Sequence, residues 1–244
     1  MKKLLGICLI SFMGFHNGEA QSTLVGGVFP TIDFSGSITK KLDVSFYYFG
    51  AFPLLTLKQP EFYDTPVMLL FYSEQALTFN PNKQLSFTGS YVYQREKGAD
   101  HNYINENRLF LQAAFKHSLQ AVNFKHRLRF DNRFIHDKVR NETPNTHRLR
   151  YLIGLDFPIK SKGRDLYFAA YEEVFLNTFK NATAVYAENW SYMALGIRLN
   201  GGNKMEAGPL YITWKTAGGN WFHQVYLQMT WISQLGFFYQ NKKM

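Results

Sequence analysis

Long segments of alternating side chains are the feature that most constrains how this chain can fold. One face of residues 121–137 is charged and carries Lys125, Arg127, Arg129, Asp131 and Arg133. The opposite face carries Phe124, His126, Leu128, Phe130 and Phe134. Because successive side chains of an extended strand point to opposite faces, this period of two predicts a β-strand with one charged and one apolar side.

The same separation recurs in the neighbouring segments. Across several consecutive strands the charged or polar face is expected to line one common surface, formed by Arg108, Lys116, Lys125, Arg127, Arg129, Asp131, Arg133, Arg148, Arg150, Asp156, Glu173, Asn177, Arg198 and Glu206. In a barrel that spans a membrane, the apolar face meets lipid and the charged face lines the lumen. We therefore predict a basic lumen in which these arginines pair with the acidic residues.

The whole chain can be divided into segments of this kind. Strands are predicted at 23–34, 41–53, 66–80, 84–95, 105–119, 121–137, 145–159, 165–178, 187–200, 203–215 and 219–239. Most reach the 9–11 residues that a membrane-spanning strand needs, whereas strands of globular proteins average nearer 5–6. The fold class indicated is all-β, a transmembrane antiparallel up-and-down barrel of about 10–12 strands.

The polar breaks between these segments alternate in length. Short breaks lie at 35–37, 80–83, 160–164 and 200–203, and longer ones at 53–65, 95–104, 137–145 and 178–187. Short periplasmic turns and longer outer loops produce this alternation. An even strand number is expected of a bacterial barrel, so one assignment should be wrong. Either the first segment, broken by Pro30, is not a strand, or a further strand is hidden between Pro53 and Ser73.

The first residues predict export. Lys2 and Lys3 precede an apolar stretch from Leu4 to Phe15, and a small-residue pattern ends at Ala20. This is the layout of a cleaved signal peptide over residues 1–20, which leaves residues 21–244 as the barrel. The single cysteine, Cys8, lies within the signal, so we expect no disulfide and no thiolate chemistry in the mature chain.

Composition narrows the possible partners. The formal net charge is +9, which by itself suits nucleic acid, anionic lipid or acidic solutes. Export argues against nucleic acid. The expected partners are outer-membrane lipid, the barrel-assembly machinery and small anionic solutes.

Catalytic and metal motifs are not apparent. The histidines after the signal are His101, His117, His126, His136, His147 and His223, and none lies in a nucleophile motif or at metal-ligand spacing. We expect no cofactor, no metal and no catalytic residue, and catalysis stays an open alternative. Aromatic residues near segment ends are candidates for interfacial girdles, or reflect ordinary β-propensity: Tyr91, Tyr93, Trp190, Tyr192, Trp214 and Trp221.

Three motifs carry a family resemblance. His126–Phe130 and His147–Tyr151 are paired basic strand sequences, and Ala170–Asn177 reads Ala-Tyr-Glu-Glu-Val-Phe-Leu-Asn. They resemble an uncharacterised outer-membrane barrel family of Gram-negative bacteria, of the Bacteroidota type, known as domain of unknown function 2490. The resemblance runs from about Asp43 to Phe238, and is strongest between Asn107 and Asn177. It implies an outer-membrane location and a barrel fold, and no activity.

These observations lead to one main functional hypothesis and two alternatives. The main hypothesis is an integral outer-membrane barrel with a structural role or a role in small-solute transport, biased toward anions by its basic, ion-paired lumen. The alternatives are a membrane-embedded lipid-modifying enzyme and a loop-based adhesion or docking protein.

Overall fold

The computed structural model describes residues 23–57, 68–97, 102–136, 141–159, 163–178, 185–215 and 221–235. The signal-peptide prediction for residues 1–20 falls outside the described residues.

The described residues form eleven β-strands and one short 3-10 turn, Asn200–Gly202. The strands are β1 Thr23–Ser37, β2 Leu42–Leu57, β3 Leu70–Phe79, β4 Leu85–Lys97, β5 Tyr103–Leu119, β6 Val122–Ile135, β7 Asn145–Ile159, β8 Leu166–Asn177, β9 Tyr186–Arg198, β10 Lys204–Lys215 and β11 Trp221–Gln234. Each predicted segment corresponds to one of these strands. No helix among the described residues is long and apolar enough to cross a bilayer.

The strands close into a single barrel. Every strand pairs antiparallel with its neighbour in sequence, and β1 closes the barrel by pairing parallel with β11, from Thr23 opposite Phe222 to Ser35 opposite Gln234. An odd number of up-and-down strands leaves the first and last strands pointing the same way, so closure requires one parallel pair. The barrel fold is confirmed, and the expectation of an even strand number was wrong.

The connections between strands fall at two ends. One end, which we call the tight-turn end, holds the connections 38–41, 80–84, 120–121, 160–165 and 199–203. The other, the long-loop end, holds the connections 58–69, 98–102, 136–144, 178–185 and 216–220. Because β1 and β11 are parallel, β1 begins at the long-loop end and β11 finishes at the tight-turn end.

Pro30 and Pro209 lie within strands without ending them, although Pro30 predicts a break in the first segment. Pro30 lies outward within β1, opposite Met229 in the parallel ladder. Pro209 lies within β10, where the ladder to β9 omits Gly208 and Pro209 but keeps its register. A proline lacks the N–H that a ladder uses, so the local pairing is lost without ending the strand. Gly208 is needed there, since a Cβ would lie 2.0 Å from the carbonyl oxygen of Met193.

The two faces of the barrel have opposite chemistry. Large apolar side chains point outward and are exposed, among them Leu109, Leu111, Leu128, Phe130, Leu195, Leu227 and Trp231. Charged side chains point inward and are buried, among them Arg108, Arg129, Asp131, Arg148, Arg150 and Glu173. The outer face is therefore largely apolar, while the interior combines this charged cluster on β5 to β8 with buried hydrophobic residues such as Phe29, Phe49 and Leu210.

The aromatic residues considered as girdle candidates divide between these faces. Tyr91 points outward and is 43% exposed. Trp190, Tyr192 and Trp214 line the interior, so they cannot belong to an outer girdle. Alternation alone did not separate them, because tryptophan and tyrosine suit both a membrane interface and the packed inside of a narrow barrel.

Candidate functional site in the barrel interior

Asp131 is the centre of the interior charge cluster. Its side chain is fully buried, and its Oδ2 lies 3.4 Å from Arg148 Nε and 3.8 Å from both Arg108 Nη1 and Arg150 Nη1. These residues come from β5, β6 and β7, which are adjacent in the barrel. Three guanidinium groups around one carboxylate compensate the cost of burying its charge.

Glu173 on β8 forms the second centre. It accepts two hydrogen bonds of 2.9 Å from Nε and Nη2 of Arg150, and its Oε1 lies 2.6 Å from Arg127 Nη2. The paired contact with Arg150 matches the planar fork of a guanidinium to the two oxygens of a carboxylate, which fixes both side chains. Arg150 therefore links the Asp131 and Glu173 centres.

Further acidic residues complete the network toward the long-loop end. Glu106 Oε1 lies 2.6 Å from Arg108 Nη2, and its Oε2 accepts a 2.7 Å hydrogen bond from Arg133 Nη2. Glu188 on β9 lies 3.4 Å from Arg148 Nη1. Neither glutamate was among the predicted lumen residues.

One ion pair crosses the interior. Arg129 Nη1 on β6 lies 3.3 Å from Glu74 Oε2 on β3, although β4 and β5 lie between these strands along the barrel wall. The Arg129 guanidinium also lies over the Phe110 ring at 3.7 Å and donates two hydrogen bonds to Gln112. Glu74 in turn accepts a 2.7 Å hydrogen bond from the Tyr72 hydroxyl.

Aromatic rings extend the contacts of Arg129, Glu74 and Tyr72 further around the interior. Tyr72 stacks on Phe49 with ring centroids 4.4 Å apart, and Phe49 meets Trp190 on β9 at 6.0 Å. Trp190 contacts Phe175 at 5.7 Å, and the Arg150 guanidinium lies 4.2 Å over the Phe175 ring. We call these side chains the central layer: Phe49, Tyr72, Glu74, Phe110, Arg129, Arg150, Glu173, Phe175 and Trp190.

The remaining predicted residues lie near the two ends of the barrel. Asp156 and Arg198 form a separate pair, 3.6 Å apart, at the tight-turn end. Glu206 accepts hydrogen bonds from the hydroxyls of Tyr167 and Tyr192, at 2.7 and 3.4 Å, rather than pairing with an arginine. Lys116 and Lys125 face the interior and have no carboxylate within salt-bridge distance among the described residues. Asn177 lines the cavity near the long-loop end.

Sequence reasoning missed three carboxylates that complete the network: Glu74, Glu106 and Glu188. Glu74 lies two residues from Tyr72, and Glu106 two residues from Arg108, so period two could have placed both on the interior face. The partner of Glu74 could not be predicted, because Arg129 and Glu74 meet only once the barrel has closed.

A cavity of about 1140 Å³ occupies the interior around the central layer. Its lining includes Glu96 and Glu188 at the long-loop end and Lys116 and Lys125 at the tight-turn end. Within the described part of the chain, no group of three or more His, Cys, Asp or Glu side chains is arranged to hold a metal ion.

A family profile described as "Protein of unknown function (DUF2490)" matches residues 67–223. The chain belongs to this family. The match includes Asn107 to Asn177, where the family resemblance of the sequence is strongest. It also includes the strands that supply most of the interior charge network. For this DUF2490 chain, no curated protein and no solved structure gives a match.

Proposed function

We propose that this DUF2490 protein is an integral outer-membrane β-barrel with a structural role, in which side chains close the lumen at mid-height. The central layer is the observation that carries the proposal. Its contacts run from β9 through β2 and β3 to β6, and again from β7 through β8 to β9. Side chains that meet across a barrel of this width obstruct it at mid-height, while the cavity of about 1140 Å³ extends to either side of them.

The outward face supports a lipid environment. Leu111, in the middle of the outward row of β5, is 71% exposed, and Leu195, in the outward row of β9, is 65% exposed. A continuous apolar outer face costs free energy in water and none in a bilayer, while a closed barrel leaves no strand edge unpaired. Lipid is therefore the solvent that suits this surface.

The two ends of the barrel support an orientation. Outer-membrane barrels place short turns in the periplasm and longer loops outside. On that basis the tight-turn end faces the periplasm, and the signal peptide and the barrel-assembly machinery deliver the chain to the membrane from that side.

Planar-bilayer recording of the refolded protein tests the closed lumen. We expect no conductance steps from the unmodified barrel, since Arg129, Glu74 and Phe49 bridge its interior. The double variant Phe49→Ala, Arg129→Ala removes two bridging side chains, and we expect it to admit small ions. A matched variant on the outer face, Leu111→Ala, should show no conductance. Regular conductance by the unmodified protein would overturn the closed lumen.

A second candidate function is transport of small anionic solutes, and the lysines at the tight-turn end favour it. A preference of the lumen for anions over cations depends on few residues, because the carboxylates around the arginines neutralise most of the interior positive charge. If transport occurs, the central layer must rearrange, and lysine-to-glutamine changes at positions 116 and 125 would reduce anion flux. Lipid modification and loop-based docking receive no specific support from the described residues.

A further inference from the structure

The cavity extends from the central layer to the tight-turn end, and we call this part of it the lower vestibule. Its walls include Asp33, Tyr47, Lys116, Lys125, Tyr171 and Glu206. These residues come from strands all around the barrel. Tyr47 and Tyr171 are half-buried, and both lysines are exposed to the cavity. The lower vestibule is therefore a concave, solvent-reachable space with polar walls.

Two like charges lie side by side in this wall. Lys116 on β5 and Lys125 on β6 are direct cross-strand partners, and both face inward. Directly opposed like charges destabilise a strand pair. Within the described parts of the chain, neither ammonium group has a hydrogen bond or a carboxylate partner. The barrel thus holds an unfavourable pair of cations at a position where neutral residues would serve the fold better.

Neighbouring charged groups do not neutralise this pair. Arg127, two residues from Lys125, contacts Glu173, and Asp156 contacts Arg198. Glu206 is hydrogen-bonded by two tyrosines, and Lys204 lies 5.6 Å over the Tyr167 ring. Asp33 lines the cavity from β1, and its negative charge acts on Lys125, although the two form no ion pair among the described residues. Lys116 and Lys125 are therefore two adjacent cations of the lower vestibule that no carboxylate pairs with directly.

We propose that the lower vestibule binds the oxyanion group of a small solute, with Lys116 and Lys125 as its ligands. Two ammonium groups on adjacent strands can donate to one phosphate or carboxylate from the same side, and each such charge-assisted bond is stronger than a neutral one. The periplasmic access of this site rests on the orientation given under the proposed function; the binding itself requires only the folded barrel.

Calorimetric titration of the refolded barrel in detergent with inorganic phosphate tests the site. We expect saturable binding to the unmodified protein and at least about tenfold weaker binding to the double variant Lys116→Gln, Lys125→Gln, as befits the loss of charged hydrogen bonds. Lys41→Gln is the matched control, since it removes the same charge from the same barrel end but from an exposed turn outside the cavity. It should bind phosphate as the unmodified protein does.

Thermal unfolding of the same samples supplies a second readout. Removing the opposed lysines should leave the barrel at least as stable without phosphate, and should abolish the stabilisation that phosphate gives the unmodified protein. The proposal is overturned if phosphate fails to bind the folded barrel, or binds the double variant as tightly. Either result would leave the closed, membrane-embedded barrel intact, because conductance and insertion are measured separately.

Discussion

Arg129 Nη1 and Glu74 Oε2 lie 3.3 Å apart across the barrel interior, on strands separated by two others. The side chains of both residues are nearly buried, at 6% and 11% exposure. Contacts along a barrel wall hold neighbouring strands together, whereas this pair joins two strands that are not neighbours in the wall. It therefore stabilises the barrel, and under the proposed function it also helps to close the lumen.

Removal of one partner from this pair should be costly. Arg129→Met leaves the Glu74 carboxylate buried without its cation, and we expect the free energy of unfolding to fall by about 3–5 kcal/mol. The double variant Arg129→Met, Glu74→Gln should lose less than the sum of the two single changes. Urea unfolding in detergent gives all four values. Asp165→Asn is the control, because its exposed pair with Arg198 should contribute at most about 1 kcal/mol. Additive losses would show that the two residues are not coupled.

Substitution on the outer face distinguishes lipid from water as the surrounding solvent. Leu111→Arg places a charge in the middle of the outward row of β5, and we expect a loss of about 2–4 kcal/mol for the barrel folded in lipid vesicles. Leu119→Arg, at the tight-turn end of the same strand, should cost only about 0–1 kcal/mol. A water-exposed surface would tolerate both changes within about 0.5 kcal/mol. Equal, small losses of stability in both variants would therefore argue against lipid as the surrounding solvent.

Gly196 provides space for an interior tyrosine. A Cβ at this position would lie 2.3 Å from Cζ of Tyr167, whose hydroxyl donates to Glu206. Gly196→Ala should displace the ring and lower the free energy of unfolding by about 1–3 kcal/mol. Gly89→Ala is the comparison, since its Cβ would approach only Leu111, at 3.9 Å. Denaturant titration of both variants measures the difference, and a well-tolerated alanine at 196 would contradict the packing.

The parallel closure of the barrel predicts where its two ends emerge. Residues 21–244, the predicted mature chain, contain no cysteine, so single substitutions there give unique labelling sites. Leu24→Cys at the start of β1 should react with a membrane-impermeant maleimide on intact cells, as should Val185→Cys at the long-loop end. Leu235→Cys and Lys40→Cys, at the tight-turn end, should react only after the membrane is opened. Labelling of positions 24 and 235 from the same side would exclude an eleven-strand closure.

Much of the fold followed from local pattern. The alternation of Arg127, Arg129 and Asp131 with Leu128 and Phe130 fixed the strand and its two faces, because side-chain direction in a strand depends only on position. The pairing of β1 with β11, which closes the barrel, could not be predicted from local pattern. Pro30 predicts an irregular first segment, but its missing N–H is tolerated in β1. The parallel pairing with β11 depends on residues about 200 positions apart.

The sequence by itself determined which side chains share a face, since period two is a local property of extended backbone, and it thereby determined the strands and the charged interior. Only the tertiary structure decided which charges meet. Glu74 pairs with Arg129, and Trp190 points inward against Phe49, because closure of the wall brings distant strands within contact distance. Closure of the wall also leaves Lys116 and Lys125 without a carboxylate at salt-bridge distance among the described residues. The sequence of either strand alone could not show this.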